Sequence, residues 1–213
     1  AVLAALALSL PAAALDPALL AGLEARAIGP AAMSGRIAAI ESSASAPQVV
    51  YVGAATGGLW KSVNGGLTWE PVFDDQPVAS IGAVALDPSN PDAVWVGTGE
   101  GNPRNSVSVG HGIYRSLDGG RTWQHLGLEK TERIHRVVLH PTNPDVAWVA
   151  ALGKLWGENP ERGVYKTTDG GRTWKRVLYV DERTGAADLV IDPSNPNKLF
   201  AAMWDHRRRP WSF

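Results

Sequence analysis

The chain has 213 residues, a formal net charge of −1, no cysteine, and 23 Gly, 15 Pro and 9 Trp. Near-neutrality removes a global electrostatic case for nucleic acid or an anionic membrane surface. The missing cysteines exclude disulfide bracing, a cysteine-based zinc site and an acylated N-terminal cysteine, while abundant Gly and Pro suit short strands joined by tight turns.

Residues 1–14 read as a partial signal peptide. Ala1 to Leu10 is an apolar run, and Ala12-Ala13-Ala14 is a small-residue cleavage site. The run is too short to span a bilayer, and it lacks an initiating Met and a basic n-region, so the start reads as truncated. A buried N-terminal helix is the alternative. The product is expected to be exported, to the periplasm or the exterior, with no membrane span after signal removal. Residues 15–33 form a lead-in segment. Asp16-Pro17 suits the N-cap and first turn of a helix reaching Arg26, whereas Leu23 to Ile28 alternates like a strand. Both readings stay open.

From residue 34 the pattern repeats. An apolar strand opens each unit: Arg36–Ile40, Ile81–Leu86, Ile134–Leu139 and Asp188–Ile191. Proline turns follow at Asp87 to Pro91, His140 to Pro144 and Asp192 to Pro196, with a degenerate version at Glu41 to Pro47. A second strand carries an aromatic in register: Tyr51, Trp95, Trp148 and Phe200. A connection of variable length leads to a third strand with Leu59-Trp60-Lys61, Ile113-Tyr114-Arg115 or Val164-Tyr165-Lys166.

An octapeptide then turns the chain into a fourth strand. It reads Ser62 to Trp69 (SVNGGLTW), Ser116 to Trp123 (SLDGGRTW) and Thr167 to Trp174 (TTDGGRTW), with starts 54 and then 51 residues apart. The Gly-Gly pair accepts positive φ, the Asp (Asn64 in the first copy) can bond backbone N–H groups two residues on, and Thr-Trp restarts a strand. The structural positions are Ser62, Asn64, Gly66, Thr68 and Trp69; Ser116, Asp118, Gly120, Thr122 and Trp123; and Thr167, Asp169, Gly171, Thr173 and Trp174.

Four antiparallel strands recurring about every fifty residues predict an all-β fold, a β-propeller with blades at about 34–75, 79–126, 133–178 and an incomplete 186–213. A sandwich would not repeat its turns in register. About three and a half blades do not close a ring, so the segment reads as part of a larger propeller, with the remaining blades of a full-length chain as its partners.

The octapeptides resemble the Asp-box, or BNR, repeat. Ile28-Gly29-Pro30 and Ser34-Gly35-Arg36-Ile37, with the Asp-Pro-Ser-Asn-Pro turns, look most like bacterial exported proteins of the sortilin-type propeller group, often labelled glycosyl hydrolases. The resemblance implies that the box is a structural turn remote from the binding face. Its relatives include sialidases and xyloglucanases. A sialidase would show three arginines, and the counterparts of Arg36 in register are taken as Gly82, His135 and Ala187. The resemblance to xyloglucanases places a catalytic Asp just before a Gly-Gly, where this chain has Ala55.

Meander topology puts the proline turns and boxes on one face and the variable connections on the other, where binding is expected. These run from Ala54 to Gly58, Thr98 to Gly112, Leu152 to Gly163, and onward from Asp205. Candidate ligand-binding residues are Glu100, Asn102, Arg104, Asn105 and His111, with Trp156 and Glu158 beside Lys154, and Arg36 at the first inner strand. Carboxylate, amide, Arg and Trp together suit a sugar or an extended polar peptide. The alternative is that they pair with each other and cap the propeller. No catalytic pair, nucleophile triad, phosphate loop or metal motif is visible, and no cofactor is expected. The expected role is a binding module for protein, peptide or carbohydrate, the alternative a glycoside hydrolase completed by other blades.

Overall fold

The computed structural model describes residues 36–208. The expected signal peptide at 1–14, the expected lead-in segment at 15–33 and the end of the expected fourth unit lie outside these residues. No described helix is long and apolar enough to cross a membrane. The expected all-β propeller architecture is observed.

Blade 1 is β1 (Ile37–Ser43), β2 (Ala46–Ala54), β3 (Leu59–Ser62) and β4 (Glu70–Pro71). Blade 2 is β5 (Ile81–Asp87), β6 (Asn90–Thr98), β7 (Ile113–Ser116) and β8 (Gln124–His125). Blade 3 is β9 (Ile134–Leu139), β10 (Ala147–Ala151), β11 (Gly163–Thr167) and β12 (Lys175–Leu178). These are three antiparallel four-stranded meanders, and β13 (Thr184–Asp192) with β14 (Asn195–Asp205) is the inner half of blade 4.

The first connection is a two-residue hairpin turn wherever Asp precedes it. Asp87 Oδ1 accepts from Ser89 N at 2.8 Å and Asp192 Oδ1 from Ser194 N at 2.9 Å. Blade 3 substitutes His140, whose Nδ1 accepts from Thr142 N at 3.2 Å and Asn143 N at 3.1 Å, and the loop lengthens.

In every box both glycines have positive φ, 72° and 92° at Gly119 and Gly120. The serine, not the aspartate, bonds the backbone two and four residues on: Ser116 Oγ accepts from Asp118 N at 3.3 Å and Gly120 N at 2.8 Å. Asp118 instead spans the turn, accepting from Thr122 N at 2.9 Å and Thr122 Oγ1 at 2.6 Å. A shorter hydroxymethyl side chain reaches the near N–H groups and leaves the carboxylate to the far strand.

The core consists of seams between blades. Trp95, Ala85 and Leu126 of blade 2 pack with Ile134, Val137 and Val149 of blade 3; Tyr51 and Phe73 of blade 1 pack with Ile81 and Val94 of blade 2. Boxes 2 and 3 seat on the preceding blade. Trp123 Nε1 donates to Val72 O at 2.6 Å, and Trp174 Nε1 to Leu126 O at 2.8 Å. Tyr51 OH and Lys61 Nζ donate to Gly119 O at 3.2 and 2.9 Å, and Arg115 Nη1 reaches Gly170 O at 3.4 Å.

Each inner strand holds a bulge, at Ala38, Gly82, His135 and Ala187, which sharpens its twist near the hub. Equivalent backbone bonds fix the register: Ala55 N donates to Arg36 O, Gly99 N to Ser80 O and Leu152 N to Arg133 O. Arg36 therefore matches Ser80 and Arg133, not Gly82 and His135. The expected register is off by two residues. Such a slip keeps each side chain on its own face, so alternation cannot reveal it.

Candidate binding face

The connections between second and third strands lie on one face, and strand direction brings the blade-to-blade connections there too. An open cleft of about 530 Å³ lies on this face between blades 2 and 3. Val109 comes from the 99–112 loop, Lys154, Asn159, Pro160 and Glu161 from the 152–162 loop, and Glu129, Lys130 and Glu132 from the blade 2–blade 3 connection.

Local chemistry builds its walls. Leu128 (φ 65°) and Glu132 (φ 55°) bracket a 3-10 turn at Glu129–Thr131, and Thr131 Oγ1 donates to Leu128 O at 2.7 Å. Opposite, Asn159 is buried, donates from Nδ2 to Lys130 O at 3.0 Å and accepts Glu161 N at 2.7 Å. It ties the two walls together. Arg162 is fully buried and anchors the loop on backbone carbonyls: Glu182 O at 2.8 Å, Lys154 O at 2.6 Å, Gly157 O at 2.9 Å, and Leu152 O. These rigid supports leave Lys130 and Lys154 exposed at the rim, beside Glu129 and Glu161. Such a cleft can meet hydroxyls, amides and charges of either sign along a polar chain.

The candidate residues are distributed differently. Glu100 is completely buried and ion-paired with Arg36, Nε to Oε1 at 2.6 Å and Nη2 to Oε2 at 2.5 Å. That pair joins blade 1 to blade 2, and the carboxylate raises the Arg36 pKa above its ordinary value. These two candidates are thus engaged with each other. His111 is also engaged locally, Nδ1 to Tyr114 OH at 2.9 Å, with its ring stacked 4.7 Å from that of His125. Asn102, Arg104 and Asn105 are exposed on the 99–112 loop. Trp156 is exposed, and Glu158 lies 3.6 Å from Arg207. None of the eight candidates lines the cleft, although two of the expected loops do.

A second group lies nearer the hub. Arg133 is buried, with Nη1 3.2 Å from Glu132 Oε2. His206 is buried, and burial followed by the Arg162, Arg133 and His135 charges pushes its pKa down to about 4. Burial also lowers the pKa of His135, whose ring lies against Gly101. From blade 4, Arg208 Nη1 donates to Pro103 O at 3.1 Å, so the loop ends of blades 2 and 4 meet.

Arg133, Arg162 and the 129–132 connection escaped the sequence reading. The first was hidden by the register slip, the second by its place inside a loop expected to be solvated. The third was legible from strand parity, since a fourth strand ends on the same face as a second. Among the described residues, no group of three or more His, Cys, Asp or Glu could hold a metal ion.

The Sortilin-Vps10 family model, described as "Sortilin, neurotensin receptor 3", matches residues 57–188. The xyloglucanase Xgh74A of Acetivibrio thermocellus is 26% identical over 205 residues, covering 61% of this chain and 24% of its own. The chain thus spans about a quarter of that relative's length. Among solved structures, the GH74 enzyme of Niastella koreensis matches with a TM-score of 0.55 and 27% identity, over 72% of this chain and 23% of that one. An ancestral GH74 enzyme matches with a TM-score of 0.61 at 19% identity, over 82% and 24%.

Proposed function

The chain belongs to the Sortilin-Vps10 family, and on that premise we propose that it is an exported Asp-box propeller segment whose variable-loop face binds an extended polar ligand, a glycan or a peptide. The observation that carries this reading is the cleft between blades 2 and 3, with exposed Lys130 and Lys154 set against Glu129 and Glu161. Rigid strands and buried anchors hold loops that differ from blade to blade, the arrangement in which binding specificity resides. Trp156, half exposed on the same loop as Lys154, offers a flat apolar surface to a sugar ring or an aliphatic side chain. The apolar run at residues 1–14 supports export.

A glycoside hydrolase is the second reading, favoured by the similarity to xyloglucanases. It requires two carboxylates facing a scissile bond. Ala55 is buried, with its N–H spent on Arg36 O, and Glu100 is sealed in its ion pair. Neither position offers a free acid or base, so the pair would have to come from the cleft glutamates or from other blades.

Calorimetric titration with xyloglucan oligosaccharides and with a pool of short peptides tests both readings. The binding role predicts saturable association with at least one probe, weakened about tenfold by the Glu129→Gln/Lys154→Ala pair and without cleavage, as expected for the loss of roughly 1.4 kcal/mol of polar contacts. Release of reducing sugar, abolished by Glu129→Gln or Glu161→Gln, would establish the hydrolase instead.

A further inference from the structure

The charges lining the cleft between blades 2 and 3 are not equivalent. Each acid has a local partner. Glu132 Oε2 lies 3.2 Å from Arg133 Nη1, Glu161 Oε2 accepts from Tyr165 OH at 3.0 Å, and Glu129 Oε1 is 3.6 Å from His125 Nδ1. Lys130 and Lys154 have none. Among the described residues, no carboxylate oxygen comes within 4.0 Å of either ammonium. The backbone of both lysines is nonetheless pinned. Lys130 O accepts from buried Asn159 at 3.0 Å, and Lys154 O from buried Arg162 at 2.6 Å. Two cations thus stand on opposite walls of one cleft with no anion of the protein to meet them.

The main chain of the cleft is already in use. The carbonyls of Glu129 and Glu132 accept from Glu132 N at 3.2 Å and Gly110 N at 2.7 Å. Pro160 O accepts from Arg176 Nη1, and Glu161 O from Tyr165 OH at 3.0 Å. Extended peptides draw affinity from main-chain hydrogen bonds, and here they would find few unused carbonyls. A glycan needs none, because its hydroxyls and acid groups meet side chains alone. Trp156, 51% exposed and two residues from Lys154, adds a flat apolar face for a sugar ring.

We propose that, given the binding role above, this cleft prefers an acidic glycan, a chain of uronic acids whose carboxylates meet Lys130 and Lys154. Ring hydroxyls of the same chain donate to Glu129 and Glu161, which keep acceptor capacity beyond their local contacts. One carboxylate per ring suits this mixture of signs. A densely sulfated chain would set more negative charge against Glu129 and Glu161 than two lysines offset. A neutral chain leaves both ammonium groups to water. Both lysines are exposed, so the preference they confer together is roughly tenfold and weakens with salt.

Calorimetric titration of the 213-residue chain compares three probes: an oligogalacturonate, a xyloglucan oligosaccharide of similar length and a Glu-rich peptide of similar charge. The oligogalacturonate is expected to bind about tenfold more tightly than either other probe. The gap to the neutral chain should narrow from about 50 to about 500 mM salt. Lys130→Gln/Lys154→Gln is expected to erase the preference, with Tm unchanged and affinity for the neutral chain kept within about twofold. Each single change should remove about threefold. Equal affinity for the acidic and neutral chains, or a preference that survives the double variant, would overturn the proposal and leave the binding role standing. So would a peptide bound as tightly as the acidic glycan. No association with any probe would remove the binding role itself, and this selectivity with it.

Discussion

The first and second boxes have nearly the same interior and different surroundings. Ser62 and Ser116 make matching bonds to the glycine N–H four residues on, both at 2.8 Å. Asn64 reproduces the span of Asp118 by reversing one bond: its Nδ2 donates to Thr68 Oγ1, whereas Thr122 Oγ1 donates to Asp118 Oδ2. Yet Gly119 and Gly120 are buried under blade 1, and Gly65 is exposed. The turn is a local property of eight residues, formed whether or not anything covers it. Seating is a property of the neighbour, and it turns a surface hairpin into part of the core.

The largest test of that difference is the tryptophan. Trp123 is edge-on to Phe73, with centroids 5.0 Å apart, and donates to Val72 O. Being only partly buried, it should cost roughly 2–4 kcal/mol when replaced by alanine. Trp69→Ala should cost under about 1 kcal/mol. Urea unfolding of the two variants measures the contrast, and equal losses would show that the box, not its seat, carries the stability.

The hub offers the next effect. The folded-state pKa of His206 is pushed down to about 4 against an ordinary value near 6.5. The unfolded chain therefore takes up the proton first, and stability is complete above about pH 6.5 and falls as pH drops toward 4. The loss should be roughly 2 kcal/mol, and His206→Gln should remove that slope in unfolding curves at pH 7 and 4.5. A slope that survives the substitution would assign the titration elsewhere.

Between the boxes themselves the differences are smaller. Asp118→Ala removes the bonds to Thr122 and should cost about 1 kcal/mol at an exposed turn, with ligand affinity unchanged. Asp118→Asn should be nearly neutral, because the first box shows how an amide serves. The two differ in acid. Bonds from Thr122 hold the Asp118 carboxyl well below its usual range, and bonds from Thr173 lower Asp169 to about 2. Their contribution is present above about pH 4 and lost as pH falls through the folded-state values, whereas Asn64 does not titrate. The Asp118→Asn/Asp169→Asn pair should flatten stability between pH 4 and 2, and an unchanged acid transition would contradict this.

What was legible in the sequence follows the same division. The boxes, proline turns and strand order are short-range patterns with fixed chemistry, so they appear in sequence and recur in the fold. Faces were legible from period two. Register was not, since a slip of two preserves every face, and the Arg36–Arg133 equivalence was lost with it. Seating was also illegible, because Gly53 against Ile81 is a contact between blades. Two of the loops singled out in the sequence line the cleft, and none of the eight candidate residues does. Glu100 reads as a ligand-binding candidate because nothing near it in sequence shows that Arg36, sixty-four residues away, pairs with it.

The division of faces is tested most directly by mapping amide NMR shifts of the chain on titration with xyloglucan oligosaccharides and with the peptide pool. The expected result is saturable shifts confined to residues 99–112, 126–133 and 152–162, with the three box turns unmoved. Shifts centred on the boxes, or silence at the cleft with both probes, would contradict it.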